Sequence, residues 1–229
     1  MSKTRLGRGS PLVLALAAFV LSGCGSSASP GVAIEVGDET VTISEVDDLT
    51  EDYCAAIEPQ LEGNDQIVPQ RFFRGGLAGE LARRSVADQL AEDYGVEAGD
   101  RYDDRVASLE ESTASLDEGV QEAVIHAELA GTYVEAVQVA VGQVLLAEEG
   151  VTDARYSEQQ ARGATAYNDW IAEHGVSFDP QLGIELVDGE IQQVDTSVSH
   201  AWGDTAQAGA AEEPDPAYAA ALPASQRCG

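Results

Sequence analysis

Extended segments stand on either side of a long helical middle, and this order constrains the fold more than any other feature of the chain. Residues Val32 to Ser44 alternate: Val32, Ile34 and Val36 fall on one face with Glu35 on the other, and Val41 and Ile43 flank Thr42. Gly37-Asp38 between the two arms supplies a short turn that tolerates positive φ, so the spacing predicts a β-hairpin. Residues Val176 to Val194 turn extended again, with Val176 and Phe178, then Ile184 and Leu186, then an Asp188-Gly189 turn into Ile191 and Val194. Unpaired strand edges leave N–H and C=O groups without partners, and the simplest remedy is to pair the two regions. The expected fold is therefore mainly α with a small β-sheet (α+β): amphipathic helices closed by a sheet formed from N- and C-terminal strands.

The helical middle is read from its apolar spacing. Ser44 is the expected cap of a first helix, with Glu45 and Asp47 where acids favour the N-terminal dipole. That helix is expected to reach about Ile57 and stop before Pro59, leaving Leu61 to Ile67 as a polar connection. Pro69 opens a second pattern, with Phe73, Leu77 and Leu81 and then Val86, Leu90 and Tyr94 four residues apart, and Gly95 closes it. Tyr102, Val106 and Leu109 mark a short helix, and Asp153 to His174 another with Tyr156, Tyr167, Trp170 and Ile171. The longest pattern runs from about Asp117 to Glu149. Glu122, Glu128 and Glu135 interrupt it, and its longest uncharged run, Ala136 to Ala147, has twelve residues. A spanning helix needs about 20, so a core element is expected here rather than a membrane span or a dimer seam. Strands and helices together are expected to close a cage whose hollow is the working part. Beyond Trp202 the composition shifts to Ala, Gly, Glu and Pro, which predicts a mobile tail over 203–229 that ends in Cys228.

The N-terminus reads as an export signal. Lys3, Arg5 and Arg8 precede an uncharged run from Pro11 to Leu21, too short to span a bilayer but suited to a signal-peptide core. It ends in Leu21-Ser22-Gly23-Cys24, which looks like a bacterial lipobox, so 1–23 is expected to be removed and Cys24 to be lipidated. Each buried acyl methylene contributes about 0.8 kcal/mol, so two or three chains hold a protein stably on a membrane. Residues 24–31 form a flexible Gly/Ser spacer, and 32–202 the folded domain. The expected location is the outer face of the bacterial cell membrane, held by the lipid anchor alone. Exported proteins keep disulfides, and the two remaining cysteines are Cys54 and Cys228. We expect an intramolecular bridge between them, the alternatives being free thiols or an intermolecular bond through the tail. The chain has no C-x-x-C, and no Lys or Arg adjoins Cys54 to make a reactive thiolate.

Charge and motifs exclude several function classes. The chain has 41 acidic and 12 basic side chains, three of the basic ones in the leader, so nucleic acid and anionic lipid head groups are repelled. His126, His174 and His200 lie in separate segments without H-x-x-x-H spacing, and solvent-facing positions are the expectation for them. The acidic pairs Asp47-Asp48, Glu51-Asp52, Asp103-Asp104 and Glu148-Glu149 lack the alternation and central Gly of a calcium loop. The chain contains no G-x-S-x-G, Walker-type or G-x-G-x-x-G run. Arg71, Arg74 and Arg83-Arg84 concentrate what positive charge remains, and pairing with neighbouring acids is expected. No catalytic residue, cofactor or metal is expected.

The run from Ala33 to Ser44 followed by Glu45, Val46 and Leu49 resembles the opening of SurA-type and PrsA-type periplasmic chaperones. Leu81 to Val86, Leu90 to Glu92 and Tyr94 to Val96, followed by Asp103 and Val106, are similar to that family's second helix and its exit. Trp170 to Ile184 looks like its returning strand. The resemblance implies a helical cradle for unfolded or extended exported polypeptides, without the inserted parvulin isomerase domain that many members carry. Such holding is non-catalytic, since it needs only a concave surface with apolar patches. The competing expectation is a structural or adaptor lipoprotein that binds one dedicated folded partner or dimerises through Asp117 to Glu149.

Overall fold

The computed structural model describes residues 30–194, 202–211 and 215–229. Residues 1–29, which include the expected leader, Cys24 and most of the expected spacer, and His200 lie outside the described residues. The fold is mainly α-helical with small, open β-sheets. Val32–Val36 (β1) and Glu39–Thr42 (β2) form the hairpin, with Gly37 at φ 55° in its turn. The helices are Ile43–Gly63 (α1), Arg71–Tyr94 (α2), Asp100–Thr113 (α3), Glu118–Glu148 (α4) and Tyr156–His174 (α5). Val68–Pro69 (β3) separates α1 from α2, and Val176–Phe178 (β4), Ile184–Val187 (β5) and Glu190–Gln193 (β6) follow α5.

Strand β4 pairs antiparallel with β1, Ile34 opposite Phe178 and Val36 opposite Val176, on the edge that β2 leaves open. The two distant extended regions thus share one three-stranded sheet, while β5 and β6 form a separate hairpin. Ala33, Ile34 and Val36 turn inward onto Ala78, Ala82, Val86 and Leu90 of α2, Val134, Val137 and Val141 of α4 and Tyr167 and Trp170 of α5. These side chains fill the centre, so the expected hollow is not there, and the open spaces are clefts at the surface. Small residues on α2 allow this close approach: Ala78, Ala82 and Ala87 are fully buried. The Tyr167 hydroxyl donates to the Arg83 carbonyl at 3.0 Å and the Trp170 indole N–H to Asp93 at 2.9 Å, so both large rings are buried with their polar atoms satisfied.

Helix α4 is long and apolar enough to cross a membrane by length and composition. In this fold it is the central helix and packs against α1, α2, α3 and α5. Three boundaries differ from the sequence expectation. The cap of α1 is Thr42, not Ser44: its hydroxyl accepts from the Glu45 N–H at 3.2 Å and the Glu45 carboxylate accepts the Thr42 N–H at 2.7 Å, a reciprocal capping box. Pro59 sits inside α1, which continues to Gly63; Ala55 and Pro59 are both exposed, so the carbonyl that loses its N–H partner faces solvent. Pro69 is not the start of α2 but part of β3, a two-residue edge strand where its missing N–H costs nothing.

The segment expected to be a mobile tail contains two short helices, Asp204–Ala210 (α6) and Pro216–Ala221 (α7), and ends in Arg227–Cys228 (β7). Ala219 is fully buried, and β7 pairs with β3, Val68 opposite Cys228, so residues 215–229 are packed onto the domain. A disulfide joins Cys54 of α1 to Cys228 across 174 residues, with Cα atoms 5.3 Å apart, inside a small apolar cluster with Leu61, Ile57, Val68 and Phe73.

Candidate functional site: a groove between three helices

Helix α3 touches the body of the protein along α4, and its C-terminal half splays from α1. The gap between α1, α3 and α4 is a groove of about 580 Å³. That lies within the roughly 300–1,000 Å³ range of ligand-binding clefts. Its floor is apolar: Ile57 from α1, Leu109 and Leu116 from α3 and the turn after it, and Val124 and Leu129 from α4. Leu129 is buried, and the other four are half-buried, so they are already part-covered yet still offer surface to a ligand. The rim is polar, with Gln60, Ser108, Ser112 and Ser115, and carries one charge of each sign, Arg105 and Glu128. Hydroxyl and amide groups both donate and accept, so such a rim can meet main-chain N–H or C=O groups in either orientation.

Local sequence explains why the groove stays open. The turn between α3 and α4 is short, Ala114 to Asp117, and Gln121 of α4 closes it by donating to the Glu110 carbonyl at 2.9 Å and the Thr113 hydroxyl at 3.1 Å. At the other end Tyr53 of α1 reaches Glu128 of α4, its hydroxyl donating at 3.5 Å. Burial, and after it the Glu128 charge, raise the Tyr53 pKa and keep the phenol neutral. The Tyr53 ring packs edge-on against Phe73 at 5.8 Å, which anchors it from α2.

On the opposite face of α1 lies a cleft of about 680 Å³ against the C-terminal segment. Asp47, Glu51, Glu58 and Glu62 line one side of it and Cys54, Cys228 and Arg227 another. Arg74 spans it to Asp47 at 2.6 Å. The cysteines are buried, Cys54 at 6% and Cys228 at 3%, so the bridge closes the base of this cleft as a clip.

Between α2, α3 and α4 the structure gathers a polar and aromatic cluster that sequence reasoning missed. Arg84 lies 4.5 Å from the centre of the Tyr133 ring and donates to the Tyr102 hydroxyl at 3.2 Å, in addition to its expected neighbour Asp88 at 3.9 Å. The Tyr133 hydroxyl donates to Asp88, and the Tyr102 and Tyr133 rings sit 5.0 Å apart. His126 of α4 belongs to this region and is not solvent-facing: its Nδ1 is buried with no hydrogen-bond partner among the described residues. Burial and the neighbouring Arg84 guanidinium lower its pKa against the opposing pull of Glu122 and Asp88. The signal was present in the i, i+4 pair Arg84/Asp88, but nothing in the sequence aligns α4 with α2 closely enough to add Tyr133 and His126. His174 is exposed, as expected, and stacks on Trp170 at 4.2 Å. Arg83 pairs with Glu80 at 3.2 Å, and Arg71 lies over the Phe72 ring at 4.6 Å.

Among the described residues no group of three or more His, Cys, Asp or Glu side chains is placed to hold a metal ion. Compared with known proteins, the chain matches no family model, no curated protein and no solved structure.

Proposed function

We propose that the protein is a lipid-anchored holding factor of the bacterial cell envelope, which binds extended segments of exported polypeptides in the groove between α1, α3 and α4 without catalysis. The observation that carries this reading is the groove's pairing of a half-buried apolar floor with a rim of groups that both donate and accept. An unfolded segment presents alternating apolar side chains and unpaired backbone groups, and this lining complements both. The lipobox-like Leu21 to Cys24 and the resemblance of the hairpin and first helix to SurA-type and PrsA-type chaperones support the same reading.

The test is site-directed photo-cross-linking from Leu109, Leu116 and Val124, combined with suppression of aggregation of several unrelated reduced proteins. Capture of many clients from these positions, with suppression lost in Leu109→Asp, is the expected result. Leu109 is half-buried on a surface helix, so the substitution leaves the core intact. One saturable folded partner, with no suppression of any unfolded protein, would replace holding by an adaptor role.

A further inference from the structure

A smaller pocket, separate from the groove, lies where the start of α3, the middle of α4 and the first residue of α5 meet. Its volume is about 200 Å³, room for one side chain but below the roughly 300 Å³ at which drug-sized ligand sites begin. Two tyrosines and Val139 form its walls. Tyr102 is 8% exposed and is fixed from behind by the Tyr133 ring and by Arg84, while Tyr156 is 43% exposed. Two carboxylates, Asp100 and Glu135, stand beside the rings against a single cation, Arg101. The Tyr156 hydroxyl donates to Glu135 at 2.6 Å, which holds that carboxylate at the edge of the ring.

Arg101 shows what this surface accepts. Its guanidinium carbon lies 5.4 Å from the centre of the Tyr156 ring, and among the described residues it makes no ion pair within 4.0 Å. An exposed cation–π contact of this kind is weak, so an incoming cation can displace the resident one. A guanidinium that entered more deeply would meet both tyrosine faces and the Glu135 carboxylate, with less water around it than Arg101 has. The negative charge of the whole chain, 41 acidic against 12 basic side chains, attracts such a ligand from a distance.

We propose that this pocket binds the guanidinium of an arginine side chain presented by a polypeptide, with Arg101 as the internal competitor that occupies the rim when no ligand is bound. The pocket stands independently of the groove, because a probe without apolar side chains reads it alone.

The experiment titrates the mature protein with the blocked tripeptide acetyl-Gly-Arg-Gly-amide and follows backbone amide shifts. Shifts confined to residues 98–102, 132–139 and 156 are expected, with the citrulline analogue, which is neutral at the same shape, binding at least tenfold more weakly. Glu135→Gln keeps an acceptor for Tyr156 and removes the charge, and should weaken the arginine peptide about tenfold. Arg101→Ala should tighten it about threefold. Equal binding of the arginine and citrulline peptides, weaker binding in Arg101→Ala, or shifts centred elsewhere would each overturn the proposal. Tighter binding of free arginine than of the tripeptide would do so too, since the site would then serve the amino acid and not a chain. Failure of these outcomes leaves cross-linking from the groove untouched, and failure of the groove leaves these titrations readable.

Discussion

Gly142 of α4 and Gly163 of α5 meet backbone to backbone: a Cβ on Gly142 would fall on the Gln159 carbonyl, and one on Gly163 on the Gln138 carbonyl. The two helices make the most extensive contact in the fold, and it is glycine that lets their axes approach. This contact also positions Tyr156 at the start of α5 beside Glu135 of α4, and so builds the small pocket.

Gly163→Ala is therefore expected to destabilise the protein by about 3 kcal/mol, because the clashing atoms are backbone and cannot rotate away. Gly131→Ala on the same α4, where a Cβ meets nothing within 4 Å, should instead stabilise by about 0.5–1 kcal/mol through helix propensity. Urea unfolding followed by circular dichroism separates the two. Equal stabilisation by Gly163→Ala and Gly131→Ala would show that helix propensity, not the close approach, governs both sites.

Removing the clip should cost more than any single surface contact. A bridge across 174 residues constrains the unfolded chain strongly, and Cys54→Ala with Cys228→Ala is expected to lower stability by about 2–5 kcal/mol. Dithiothreitol should produce the same shift in the native protein and none in the double variant. Amide hydrogen exchange should then rise first at Val68 and Gln70, where β7 is paired and Gln70 donates to the Gln226 carbonyl at 3.0 Å.

The two candidate caps of α1 can be told apart. Thr42→Ala removes a capping box and is expected to cost about 1 kcal/mol, within the 0.5–2 range for such caps. Ser44→Ala, which removes only a hydroxyl contact to Thr42 at 3.0 Å, should change the melting temperature little.

Stability should fall on mild acidification through His126. Burial and Arg84 hold its pKa below the ordinary 6.5. The unfolded chain therefore takes up a proton near 6.5, while the folded one resists until lower pH. The contribution is fully present above that point and is lost as pH falls toward the folded value. His126→Leu removes an unpartnered buried nitrogen and should flatten the dependence between pH 7 and 5, with the variant gaining most, about 1 kcal/mol, at the acid end. A variant that tracks the parent over the whole range would show that Glu122 and Asp88 already neutralise the site.

Most elements whose signal is local were legible in the sequence. The Gly37-Asp38 and Asp188-Gly189 turns, the Gly95 stop and the Asp117 to Glu149 pattern depend on neighbours a few residues apart, and each lies where its spacing places it. The pairing of Val32–Val36 with Val176–Phe178 followed from the need to satisfy two edges. The cap of α1 is Thr42 and not Ser44: Thr42-Ile43-Ser44-Glu45 carries a capping-box spacing, but Ser44 offers an equally good hydroxyl closer to the acids, and the sequence alone does not separate the two. That α1 runs through Pro59 is not visible in the sequence, because the cost of a proline depends on whether its side of the helix faces water, which only packing shows. The groove and the pocket were illegible for a further reason: each draws on three helices.

By itself, the order of residues determined the β1–β2 hairpin, the five long helices from α1 to α5 and the strong excess of acidic side chains, since all of these depend on composition or short-range spacing. Only the tertiary structure decided that the centre is packed and the clefts lie outside, that 215–229 is drawn back onto the domain, and that Arg101 lies over Tyr156. Those outcomes depend on how closely helix axes approach, which small residues such as Gly142 and Gly163 permit, and no local pattern specifies which partner they will meet.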